Sequence, residues 1–285
     1  MPDTALVLGA MLTVALAAGG LVWAVVQRWP QVDPANPYVE MEEHPAWRRI
    51  LRARADPQTA TGLLLTVAVA TVVAGAIAFG VLLAMVRQEK GLSGVDASAA
   101  EWAADHATEL STDVLTVVTH FGGTLVVVTL TLIAFAFESR RQPSRARFWF
   151  LLLVVAGQSI IANTIKWAVD RARPDFEQLA SFSSASFPSG HATTAAATYA
   201  ALALVLGRGR TVSTRASLAG GAAAIAVAVA ATRVLLGVHW VTDVAAGLAL
   251  GWSWFALCAI AFGGRLLHFG APLEETPEEQ PSQAE

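Results

Sequence analysis

Seven stretches of this chain carry no Asp, Glu, Lys or Arg and are mostly apolar: 4–27, 62–86, 114–137 (which includes His120), 148–165, 192–207, 216–232 and 244–264. About 20 apolar residues in a helix span a bilayer. The expected fold class is therefore all-α: a polytopic membrane helix bundle, with a six-span block and one extra N-terminal span. The stretches at 192–207 and 216–232 are short and reach spanning length only if the polar residues at their ends continue the helix. Composition agrees, since 55% of the 285 residues are hydrophobic and 14% charged, against about 25% charged in a soluble domain. The expected organisation is an N-terminal transmembrane helix at 1–28, a cytoplasmic loop at 29–61, a six-helix domain at 62–266 and a disordered acidic cytoplasmic tail at 267–285.

Cations orient such a bundle, because cytoplasmic loops are enriched in Lys and Arg. Arg28, Arg48, Arg49, Arg52 and Arg54 follow the first stretch; Arg140, Arg141, Arg145 and Arg147 follow the third; Arg208, Arg210 and Arg215 follow the fifth; Arg265 follows the seventh. These 13 of the 19 basic residues mark the cytoplasmic side. The other side holds Arg87, Lys90, Lys166, Arg171, Arg173 and Arg233. The first four residues carry only Asp3 as a side-chain charge, so the first stretch reads as a retained helix rather than a cleaved signal. An Ala-rich segment at 99–110 in an acidic outer loop is expected to form a short surface helix. The single Cys258 builds neither a disulfide framework nor a cysteine metal site. A net charge of −3 gives no reason to expect nucleic-acid binding.

Three polar segments sit at the ends of apolar stretches, all on the outer side: Lys166 to Arg173-Pro174, Pro188-Ser189-Gly190-His191, and Arg233 to His239 to Asp243. Phosphate needs cations and N–H donors; arginine offers a planar fork and lysine a point charge. Alone, Lys166 and Arg173 would equally mark a helix end at the membrane surface. Pro188 and Ser189 suit a helix start, and a helix N-terminus attracts phosphate. Gly190 permits close backbone approach, although the segment alone also fits an ordinary cap with an interfacial His191. His239 and Asp243 are four apart and would share a helix face. The carboxylate would accept Nδ1–H and leave Nε2 to attack. The same pair would serve a purely structural helix contact, but an ionisable residue entering a lipid-length stretch is costly and points to function.

Taken together, the three segments resemble the type 2 phosphatidic acid phosphatase superfamily of integral membrane lipid phosphatases. Its pattern is Lys-x6-Arg-Pro, Pro-Ser-Gly-His and Ser-Arg-x5-His-x3-Asp. Only Thr232 departs, replacing the serine while keeping a hydroxyl. The resemblance covers the six-span block. It implies that His239 forms a phosphohistidine, that Asp243 orients it and that His191 protonates the leaving oxygen. It implies that Lys166, Arg173, Ser189, Gly190 and Arg233 cradle the phosphate, with no cofactor and no metal. The partners expected are the bilayer and a lipid phosphate or pyrophosphate, with phosphatidic acid, phosphatidylglycerol phosphate and polyprenyl pyrophosphate left undistinguished. A phosphotransferase on the same scaffold and a non-catalytic membrane protein or transporter are the alternatives.

Three other features are read as structural. His44 beside Glu40, Glu42 and Glu43 is a solvated charged loop, His120 a buried helix contact, and His106 and His268 carry no signal. Oligomeric state is not legible. The protein is expected in the cell membrane, with its site on the extracytoplasmic face and its C-terminus in the cytoplasm.

Overall fold

The computed structural model describes residues 2–29, 60–88, 93–141, 143–174 and 185–266, and among them the regular structure is helical. In chain order the helices are α1 (Pro2–Arg28), α2 (Ala60–Gln88), α3 (Ser93–Asp105), α4 (Glu109–Thr119), α5 (Thr124–Arg141), α6 (Arg145–Val169), α7 (Gly190–Gly207), α8 (Val212–Leu235) and α9 (Val241–Leu266). A short 3-10 turn, His120–Gly122, joins α4 to α5. Most of the loop at 29–61, including Glu40, Glu42, Glu43 and His44, lies outside the described residues. So does the tail at 267–285.

By length and composition α1, α2, α6, α8 and α9 can each cross a membrane, and α4 with α5 makes a sixth span bent by 50°. The continuous helix expected over 114–137 is thus two helices. The break falls where Gly122 passes so close to α7 that a Cβ there would stand 3.0 Å from the His191 carbonyl oxygen. His120 sits in this turn and is exposed, not a buried helix contact as expected. The expected surface helix at 99–110 begins earlier and ends at Asp105, because Thr108 starts α4. Its hydroxyl accepts from the Ser111 N–H at 3.2 Å, while Ser111 Oγ accepts from the Thr108 N–H at 2.9 Å, a reciprocal cap that satisfies two otherwise unpaired donors.

The short stretch at 192–207 became α7, and its length has a physical reason. α7 is the central helix, packed against α6, α8 and α9. Ala192, Ala195, Ala196, Ala197 and Ala201 are all fully buried, and such small side chains let neighbouring backbones close in. α9 meets them with glycines. A Cβ on Gly247 would stand 2.7 Å from the Ser189 carbonyl, and one on Gly251 2.5 Å from that of Thr193. This crossing sets the start of α9 against the start of α7. The extra helix α1 packs along α8 in the same way, with Gly19 and Gly220 so close that a Cβ on either would lie 2.7 Å from the other's carbonyl oxygen.

Candidate active site

Lys166 lies in the last turn of α6. Asp170 ends that helix in the left-handed conformation (φ 47°), its N–H donating to the Lys166 carbonyl at 3.0 Å; a short polar side chain tolerates this better than most. The lysine therefore rides on the helix end and Arg173 on the irregular segment after it. Each reaches a different motif. Lys166 Nζ donates to the Ala185 carbonyl at 2.8 Å, just before the second. An Arg173 terminal nitrogen donates to the Val238 carbonyl at 2.7 Å, in the third.

The second motif opens α7. Ser189 is its N-cap residue, but the hydroxyl does not cap. Ser189 Oγ is fully buried and has no hydrogen-bond partner among the described residues. Buried hydroxyls are usually satisfied, so an unpartnered one beside a helix N-terminus is a donor held ready for an anion. At Gly190 a Cβ would lie 3.8 Å from Lys166 Cε, which places the lysine stem over the start of the helix. The Ser189 N–H donates to the Asp243 carbonyl at 3.0 Å. Phe187 is fully buried and packs at a tilt against Phe79 of α2, ring centroids 5.5 Å apart.

The third motif is a helix ending, a turn and a helix start. Gly237 takes φ +67°, a conformation that favours glycine. The turn folds back so that the N–H groups of Val238 and His239 both donate to the Arg233 carbonyl, at 3.2 and 3.1 Å. That closure explains the spacing between Arg233 and His239. Arg233 is only 4% exposed and donates to Thr119 Oγ1 at 3.0 Å. His239 and Asp243 do not share a helix face as expected. His239 lies in the turn and Asp243 in the first turn of α9, from which its carboxylate reaches back. Oδ2 accepts the Trp240 N–H at 3.0 Å and stands 3.4 Å from His239 Nδ1; Oδ1 accepts from Arg171 at 2.6 Å.

The other imidazole nitrogen, Nε2, stands 3.4 Å from an Arg173 terminal nitrogen. A guanidinium can only donate, so Nε2 presents its lone pair there and the proton sits on Nδ1, toward Asp243. Burial pushes the His239 imidazole down to about 4, opposed by its hydrogen bond and charge interaction with Asp243 and assisted by Arg173 and Arg233. The ring is neutral at pH 7 and keeps that lone pair. The charges of Arg173, Arg233 and Asp243 all act on Lys166, and those of Arg233 and Lys166 act on His191. The structure thus brings all eight residues singled out by sequence to one locus. Such an arrangement can hold a tetrahedral dianion and attack it with a nitrogen.

Sequence reasoning missed four contributors: Asp96 on α3, Arg171, Thr119 and Thr242. Arg171 bridges Asp243 and Asp96, the latter at 3.0 Å. Nothing local distinguished Asp96 from the other acidic residues of its loop.

A family model described as the PAP2 superfamily matches residues 147–266. Phosphatidylglycerophosphatase B of Bacillus subtilis (strain 168) is 36% identical over 152 residues, which cover 51% of this chain and 72% of that relative. The chain belongs to the PAP2 superfamily. A crystal structure of a transmembrane PAP2 type phosphatidylglycerolphosphate phosphatase from Bacillus subtilis superposes with a TM-score of 0.62 at 30% identity, covering 68% of this chain and 96% of that one. Lipid A 1-phosphatase of Rhizobium johnstonii is 40% identical over 124 residues, 40% of this chain and 47% of the relative. The chain thus spans about half the length of the first curated relatives it matches. The PAP2 match and the apolar helices make it a multi-pass membrane protein of the all-α class.

Proposed function

We propose that the protein is a membrane phosphatase that hydrolyses a lipid phosphate or pyrophosphate through a phosphohistidine on His239. One observation carries this reading: the buried His239 imidazole stands with Nδ1 3.4 Å from the Asp243 carboxylate and Nε2 3.4 Å from an Arg173 terminal nitrogen. Nε2 attacks phosphorus, and the bond from phosphorus to the lipid oxygen breaks. His191, which takes up a proton when the phosphate dianion binds beside it, gives that oxygen its proton. Lys166, Arg173, Arg233, Ser189 and the backbone at Gly190 balance the charge on the transferring group, where most of the acceleration in phosphoryl transfer arises. Neutral His191 then takes a proton from water, whose oxygen attacks phosphorus. The N–P bond breaks, phosphate leaves and both histidines return to their starting states. Splitting one hard displacement into two is the advantage of a covalent intermediate.

The relatives support the substrate class without choosing within it. Their names describe phosphatases of lipid A, of a phosphatidylglycerophosphate and, in Mycobacterium tuberculosis, of a decaprenylphosphoryl-5-phosphoribose. The purified protein in detergent, with excess chelator, is expected to release phosphate from at least one of phosphatidic acid, phosphatidylglycerol phosphate and polyprenyl pyrophosphate. No release from any of them would overturn the proposal.

The cation distribution supports an extracytoplasmic site, with 62–266 as the functional domain and α1 as an added span. Cysteine at exposed Ser98 on α3 should react in intact cells with an impermeant thiol reagent, and cysteine at Ser144, before α6, should not. The reverse pattern would invert the topology. The native Cys258 is buried and gives little background.

A further inference from the structure

We propose that Asp96, carried by the surface helix α3, is a positioning residue that acts through Arg171 on the Asp243–His239 pair. The inference rests on the phosphatase reading and deepens it. Arg171 uses both terminal nitrogens: one donates to Asp243 Oδ1 at 2.6 Å and to Thr242 Oγ1 at 2.7 Å, the other to Asp96 Oδ2 at 3.0 Å. Asp96 is 3% exposed. Its Oδ1 accepts the Thr242 N–H at 2.9 Å and its Oδ2 the Thr242 hydroxyl at 2.7 Å. One carboxylate from a separate helix thus caps the first turn of α9, where Thr242 and Asp243 sit, and anchors the guanidinium that grips Asp243.

The geometry explains why this matters for the reaction. Asp243 Oδ2 is committed to the Trp240 N–H and to His239, so Oδ1 is the handle by which its carboxylate plane is set. Arg171 is a long side chain, 19% exposed. Without Asp96 it would be held by Asp243 and Thr242 alone and by the Trp240 ring, 5.4 Å from its guanidinium carbon. Two carboxylates across one planar fork fix its orientation in a way that a single pair does not. A displacement of about 1 Å in a reacting group costs on the order of 10²-fold in rate. The Asp96 carboxylate spends its hydrogen bonds on Arg171 and Thr242, so its influence on His239 is indirect.

The test is a double-variant cycle with Asp96→Asn, Arg171→Gln and both together. Phosphate release from dioctanoyl phosphatidic acid, or whichever lipid the parent turns over best, is read in detergent per mole of protein that melts cooperatively. Asp96→Asn is expected to lower kcat by about 10- to 100-fold with KM changed less than threefold. The double variant is expected to be no slower than Arg171→Gln alone, because Asp96 has nothing left to act through. A purely structural Asp96 would lower the melting temperature and leave kcat per folded molecule at the parent value, and that result overturns the proposal. So does multiplication of the two single effects. If Asp96→Asn does not fold, Arg171→Lys carries the test. Its point charge cannot bridge both carboxylates, so kcat must fall at constant KM, and an unchanged kcat overturns the proposal. Silence from the parent protein on every lipid would instead overturn the phosphatase reading, and this inference with it.

Discussion

Alanine at His239 is expected to lower phosphate release by roughly 10⁵- to 10⁶-fold, the scale seen when a nucleophile or its base is deleted from an enzyme. The size follows from the role: without Nε2 there is no covalent step, and only the cation cluster remains to favour attack by water. Folding should survive, because the buried side chain gives up only one long hydrogen bond to Asp243 and a contact to Arg173. The melting temperature of the purified variant checks this beside the assay. Activity within tenfold of the parent would remove His239 from the nucleophile role. The same assignment fixes the acid side of the pH profile. An imidazole with a folded-state value of about 4 loses its lone pair only below that pH. Once corrected for the substrate phosphate's own ionisation near 6, protonation of His239 should cost kcat/KM nothing between pH 7 and about 5 and should lower it below about 4. A tenfold fall between 7 and 5 would place the attacking group elsewhere.

Asparagine at Asp243 is expected to cost roughly 10³- to 10⁴-fold in kcat with KM little changed. The amide fits the space, but it can present an N–H to the imidazole. His239 then favours the tautomer with its lone pair on Nδ1, leaving Nε2–H pointing at Arg173, donor against donor. Both the nucleophile and its electrostatic setting are lost together. The neutral side chain also forfeits the charged contact with Arg171, worth about 1.5–3 kcal/mol of stability. Arg171 keeps Asp96 as partner, so the variant should still fold. Steady-state kinetics and a thermal melt together check the prediction. A fall below tenfold in kcat would mean that Asp243 serves the helix start and not the imidazole.

The candidate site residues stood out in sequence because they form three short polar segments at the ends of apolar stretches, where charged side chains are costly. Arg233 and His239 needed only one turn to meet. The helices were legible as apolar runs, but run-counting passed over Phe121-Gly122-Gly123, where close approach to α7 forces a bend. It also read 192–207 as a short span, when its alanines mark a helix enclosed by others. His239 and Asp243 were expected on one helix face, because spacing alone does not say that the helix begins between them. The hidden part was the tertiary pairing of Asp96, Thr119 and Thr242. These are ordinary polar residues that gain meaning only when α3 and α4 fold over the ends of α8 and α9. Arg171 was visible as an outer cation, yet its second carboxylate lies 75 residues away.

The close crossing of α1 and α8 bears on how the protein is made. Gly19 and Gly220 touch backbone to backbone, yet roughly 200 residues separate them, which synthesis at about 5–20 residues per second adds in about 10–40 s. α1 is therefore made well before its partner helix, and its glycine face stays uncovered until α8 follows. Its docking there cannot precede the synthesis of α8.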